Sequence, residues 1–287
     1  MHMKRLTYIL LLSALSANTS FAEERPKAFM KAQYTARHSI MDKKTAKPFV
    51  TEDKYVLQIG NGSSYYYDPQ TFYVDSLNND PVGRVMVDQI TRDALHEFAT
   101  TGADSFAIMR EKGIMRGNGY RNQKDFVGKN ITAWDIDGGD RYQYEVNMAD
   151  LEWEICDSTE NILGYDCNLA TADYHGRRWK AWFAPDIAVQ DGPWQLCGLP
   201  GLILKAESED GEYGFIMTGV QECDEQFKPI LINPDRLFKT KRKSYLKMRD
   251  YARRNRSARI SAMTGGKVNV KADYTGTADY IETDYHE

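Results

Sequence analysis

Gly176-Arg177-Arg178-Trp179-Lys180-Ala181-Trp182-Phe183-Ala184-Pro185-Asp186-Ile187, followed by Gly192-Pro193-Trp194 and Gly198-Leu199-Pro200-Gly201-Leu202-Ile203-Leu204, is the stretch that decides the fold. Between 177 and 183 the residues alternate: Arg177, Trp179, Ala181 and Phe183 point one way, Arg178, Lys180 and Trp182 the other, the period of a strand. Pro185, Gly192-Pro193 and Pro200-Gly201 break the run into tight corners. Pro200-Gly201 suits the centre of a type II turn, where Pro presets φ and Gly takes a positive one. Leu202 to Leu204 then enter a strand too apolar for solvent on either face. Strands joined by tight turns predict an antiparallel sheet.

Further along, Leu202 to Glu207 and Tyr213 to Thr218 flank Ser208-Glu209-Asp210-Gly211, a hairpin turn. Centred on Asp210, this hairpin sets 203 opposite 217 and, continued outward, Cys197 opposite Cys223. Cys156 and Cys167 would close a short loop nearby. An even set of cysteines in an exported chain implies disulfides, although four cysteines allow three connectivities. A zinc site fits less well, because no CxxC pair occurs and His175 has no His near it in sequence. The expectation is two disulfides and no metal or cofactor.

Towards the N-terminus, Phe29–Ile40 and Lys54–Ile59 are rich in aromatic and β-branched residues, and Gly60-Asn61-Gly62-Ser63 turns into Ser64–Tyr67. The triple tyrosine Tyr65–Tyr67 reads as a half-buried strand before it reads as a stacking platform. Val85, Ile90, Leu95 and Phe98 recur at helical spacing and predict an amphipathic core helix over 84–99. The glycines of 103–130 predict loops. Ile131–Trp134 and Arg141–Met148 predict strands around Asp137-Gly138-Gly139-Asp140, which lacks the spaced acids and distal Glu of a calcium loop.

The two ends differ in charge. Lys4 and Arg5 precede the apolar run Leu6–Ala17, and Ser20-Phe21-Ala22 offers a cleavage site, so 1–22 is expected to be a secretory signal peptide. Its removal takes the formal charge from −4 to −6 by loss of those two cations. At the other end, 11 Lys and Arg fall between Arg236 and Arg259 against Asp250 alone. That predicts a basic helix over 236–260, solvated or facing an anionic surface. An acidic tail, 261–287, is expected to be mobile or to fold back onto it by charge attraction.

The order Gly-Arg-x-Trp, Ala-Trp-Phe, Gly-Pro-Trp, Gly-Leu-Pro-Gly-Leu-Ile resembles the GLPGLI family, exported proteins of Bacteroidota. The resemblance covers about 40 residues, from Cys167 to Leu204, and implies export and a β-rich fold but no activity.

The whole predicts an α+β, β-rich domain over 23–235, a curved antiparallel sheet with flanking helices. Export to the periplasm or medium makes a nucleic-acid partner improbable. The expected function is binding of an apolar ligand, a lipid or an envelope or outer-membrane protein. Asp173, His175 and Arg177 form the polar cluster on which a hydrolase reading would rest. Asp75-Ser76-Leu77 and Asp157-Ser158-Thr159 fit a short O-glycan acceptor pattern.

Overall fold

The computed structural model describes residues 26–42, 47–137, 140–229, 231–232, 234–255, 257–258, 261 and 280–285. The expected signal peptide and most of the expected tail lie outside them.

Among the described residues, twelve strands form one open sheet. The chain starts at its centre with β1 (Lys27–Asp42) and moves outward through β2 (Lys47–Gly60), β3 (Ser63–Tyr67), β4 (Arg121–Asp125), β5 (Asn130–Asp137) and β6 (Asp140–Asn147). It then crosses to the opposite edge. From β7 (Glu154–Ile162) it returns through β8 (Tyr165–Tyr174), β9 (Arg177–Ala184) and β10 (Leu202–Ser208) to β11 (Tyr213–Gln226), which pairs with β1. Two antiparallel meanders are thus joined along β1 and β11. A short β12 (Leu237–Lys239) adds in parallel to β6, so the sheet is mixed, not purely antiparallel.

Local sequence explains the tight links. Leu163-Gly164 and His175-Gly176 are two-residue turns with both central φ positive (53°, 87°; 54°, 83°), the geometry whose twist matches a hairpin. The alternation expected for 177–183 is observed: Trp179, Ala181 and Phe183 are buried while Arg178 is exposed. Trp179 is fully enclosed, and its loss to Ala would cost about 3–5 kcal/mol. The β10–β11 hairpin pairs Lys205 with Ile216, one residue out of the expected register.

The face carrying Trp179 holds the main core, covered by the loop 185–201, which inserts Trp194, Leu196 and Leu199. Gly201 has no positive φ, which corrects the type II turn. It is needed because a Cβ there would lie 2.6 Å from the carbonyl carbon of Ala184. Gly192 likewise lets the loop approach Ile203. Inside this cover Lys124 Nζ, fully buried, donates to Asp191 Oδ1 at 2.6 Å and to the Gly192 carbonyl at 2.7 Å. Asn122 Nδ2 donates to the Trp194 carbonyl. Strand β4 therefore holds the loop down through polar groups.

Helices α1 (Pro69–Asn79), α2 (Pro81–Thr101) and α3 (Ser105–Glu111) occupy the β3–β4 connection. The loops expected over 103–130 are in part α3 and β4. Helix α2 confirms a helix at 84–99 but not its place in the core. It packs chiefly on α1 and α3, and Val85, Leu95 and Phe98 are exposed. Asp68, Asp80 and Asp104 cap the three helices, two of them before a Pro at the first helical position.

The expected basic helix is shorter than 236–260. Residues 237–239 are β12, and α4 spans Arg242–Arg254, stacking Tyr245 on Tyr142 and Tyr144 of β6.

The four cysteines are free. Cys197 lies in the covering loop, whereas Cys223 sits on β11 beside β1. Cys156 is four positions beyond Glu160, the residue that faces Cys167 across β7 and β8. Neither expected pair is bonded, because the real register separates them.

Candidate functional site

A cavity of about 290 Å³ opens on the main-core face where β1, β2, β3 and β11 meet the covering loop and the C-terminal residues 280–282. Its walls are aromatic. Tyr55 of β2 and Tyr66 of β3 stack at 4.5 Å, and Tyr120, Tyr144, Trp194, Tyr213 and Tyr280 stand around them. The triple tyrosine divides by strand alternation: Tyr66 enters this cavity, while Tyr65 and Tyr67 pack on the other face with Ala28 and Phe227. All three are buried, as a strand reading requires. Burial holds the phenols of Tyr55, Tyr66 and Tyr144 well above the ordinary phenol range. They are neutral hydroxyls at physiological pH, not bases.

Charged groups line the same cavity, and most are matched. Asp135 accepts from Arg249 of α4 at 2.7 Å and from the amide of Ile136. Glu282 accepts from Tyr144, Gln195 and Arg242. Asp53 accepts from Asn118. On residues that line the cavity, Tyr66 Oη, Trp194 Nε1 and Arg249 Nε are among the buried atoms without a hydrogen-bond partner. Tyr66 and Trp194 are 1% and 2% exposed. Leaving such a group without a partner costs about 1–3 kcal/mol each.

The C-terminal residues 280–285 are a strap, docked rather than mobile. Thr283 bonds the carbonyls of His175 and Gly176 at the β8–β9 turn. Arg177 donates to the carbonyls of Tyr280 and Ile281 and pairs with Asp210 and Glu212. Arg242 of α4 pairs with Glu282 and Asp284, which realises the expected folding-back by charge attraction. Tyr280 lies under Arg249, its ring 4.1 Å from the guanidinium. Burial alone would raise the Asp284 carboxyl, but hydrogen bonds from His175 and Arg242, with their charges, outweigh it and hold it well below the usual range.

The expected polar cluster is only partly assembled. Asp173 is exposed on the far face with Arg178, across the sheet from His175 and Arg177. His175 is buried, its Nε2 3.0 Å from Gln195 Oε1 and its Nδ1 3.7 Å from Asp284. Its ring nitrogen and the carboxylates of Glu282 and Asp284 lie within 4.8 Å of one another, a possible donor set for a metal. Arg242 already bridges both carboxylates, so a cation would have to displace it. Sequence reasoning missed this group because its members are some hundred residues apart. Of the two glycan patterns, Asp75 is buried under Arg116, Arg121 and Arg141, whereas Asp157-Ser158-Thr159 lies exposed on edge strand β7.

Fold and site define an open, β-rich domain with a polar aromatic pocket walled on one side by its own C-terminal strap. Residues 174–205 match a family model described as "Protein of unknown function (Porph_ging)", the same segment that carries the GLPGLI resemblance. No curated protein matches the chain. Among solved structures the chain is similar to PNGF-II in its P21 crystal form (TM-score 0.50, 13% identity, 79% of this chain, 34% of that one). The C2 form of PNGF-II gives a TM-score of 0.46 at 14% identity over 76% and 32% of the two chains. The chain thus spans about a third of PNGF-II, and the likeness is one of fold.

Proposed function

We propose that this is an exported cell-envelope protein that binds a small molecule in the pocket between the sheet and the strap. One observation carries the reading: aromatic side chains, among them the stacked pair Tyr55 and Tyr66, and three carboxylates line a cavity of about 290 Å³. The acids and neutral phenols in the lining also modify the apolar ligand expected from composition, because a hydrocarbon would bury them without replacing their water. Dialysable small molecules from an envelope extract should raise the melting temperature of the full chain. A ligand at 100 times its Kd adds about 2.7 kcal/mol. The Tyr55→Leu protein, which lacks one ring of the wall, should respond less. No shift with any extract fraction would contradict the reading.

A second reading concerns the surface. Among the described residues of 236–254, the arginines are engaged: Arg236 with Asp140, Arg242 with the strap, Arg249 with Asp135, Arg254 with Asp250. Lys239, Lys241, Lys243 and Lys247 stay exposed. This division supports contact between β12–α4 and an anionic membrane surface through lysine. The full chain should bind vesicles containing phosphatidylglycerol at low salt and leave them at high salt. Equal recovery in solution at both salts would contradict it.

A further inference from the structure

We propose that α2 is the interface of a symmetric dimer, pairing antiparallel with α2 of a second copy of this chain.

The two sides of α2 have different surroundings. One side turns to α1 and α3: Gly83 and Ala94 are buried, and Val87 and Ile90 half-buried. The opposite side carries Pro81, Val85, Asp88, Arg92, Leu95 and Ala99, and all six are exposed. Their spacing, 4, 3, 4, 3 and 4 residues, keeps them on one stripe that a second helix can follow. Val82 and Phe98 widen the apolar surface at its two ends. Val82, Val85, Leu95 and Phe98 are 77%, 66%, 50% and 55% exposed, and apolar side chains grouped in this way mark an interaction surface.

The order of the stripe identifies the occupant, because its spacing is the same in both directions. Residues 81 and 99, 85 and 95, and 88 and 92 are equidistant from 90. A two-fold axis at that level sets Val85 against Leu95 of the second copy, Pro81 against Ala99 and Asp88 against Arg92. Each contact is made twice, as an isologous interface requires. Charge fixes the direction, since a parallel pair in register would set Asp88 on Asp88 and Arg92 on Arg92. Among the described residues Asp88 has no ion pair, and Arg92 donates only to the neutral Gln89, at 2.8 Å, so both can meet a second copy. Charge also argues against a lipid surface. Helix α2 holds Arg84 and Arg92 against Asp88, Asp93 and Glu97, without the Lys/Arg-rich polar face of a membrane-bound helix. One helix pair is a small interface, below about 1,200 Å² in total, so the dimer is a weak one.

Sedimentation equilibrium of the full chain over about 5–500 µM tests this, the range suited to an interface of that class. The average mass should climb from monomer towards dimer. Asp88→Arg sets two guanidiniums face to face and Arg92→Asp two carboxylates, so each should weaken association by roughly tenfold or more. Mixing these two single variants recreates both cross-pairs and should restore the dimer. The double variant, Asp88→Arg with Arg92→Asp, should dimerise alone. Val85→Glu should abolish association. All these positions are exposed, so circular dichroism and the melting temperature of the dilute protein should stay at wild-type values. A monomer throughout, or a dimer unmoved by either single charge variant, overturns the proposal. So does a protein that stays monomeric and floats with phosphatidylcholine vesicles until Val85→Glu releases it.

Discussion

Two regions cover the same face of the sheet by opposite means. The loop 185–201 does so with apolar side chains and backbone contacts too close for a Cβ, held by one buried ion pair. Helix α4 and the strap do so with charge, arginines reaching inward to Asp135, Glu282 and Asp284. The first region is fixed by local geometry and therefore announces itself in sequence. The second depends on a match between segments far apart in the chain. Arginine suits this role because its planar fork meets carboxylates at two points and is weakly hydrated, while lysine is left outside.

The largest effect should come from the polar pin of the first region. Lys124→Met leaves Asp191 buried without its partner and should cost about 3–5 kcal/mol in urea unfolding. The double variant Lys124→Met with Asp191→Leu should recover much of it. If the single variant unfolds like wild type, the loop is not held from β4.

Next is the close approach at Gly201. Ala there should cost about 1–3 kcal/mol, since both neighbours are backbone and neither can swing away. A neutral Gly201→Ala would show that the loop and β9 are looser than the packing implies.

The charged region should respond to pH instead. Asp284 titrates lower in the folded chain than its ordinary value near 3.9, so its contribution is present above that value and is lost as pH falls through the folded one. Exchange at 280–285 should therefore rise in acid while the strands stay protected, and Asp284→Asn should remove the dependence. An unchanged acid profile in that variant would assign the strap's hold elsewhere.

The smallest effect is chemical. Cys167 and Cys197 are buried, their thiols pushed up to about 11 by burial, while Cys156 is partly exposed. A thiol reagent should label Cys156 first and the buried pair only on unfolding, with little change in stability. Absence of labelling in denaturant would show bonded cysteines.

How much of this was legible follows the same division. Strand alternation at 177–183, the turns at Gly62 and Gly176 and the helix near 84–99 are local patterns, and the structure has them. The Asp68-Pro69 and Asp80-Pro81 doublets are helix-start signals that would have placed α1 and the true start of α2. The exposure of Val85 and Phe98 was not legible, because amphipathic spacing does not say which surface a helix meets. The pocket was half legible: Tyr66 and Trp194 stood out, but Tyr280 and Glu282 join them only through charge pairing across the chain. The expected disulfides are not formed in the structure because Cys197 leaves the strand for the covering loop, and Cys156 lies four residues from Glu160, the partner of Cys167.

The central claim is that residues 280–285 dock on the sheet and form one wall of the aromatic pocket. Hydrogen–deuterium exchange on the full chain at neutral pH, followed on peptides covering 280–287, tests it most directly. Slow exchange there, accelerated at least tenfold by Arg177→Ala or Arg242→Ala, is the predicted result. Exchange at the rate of an unstructured peptide in the wild-type protein would contradict it.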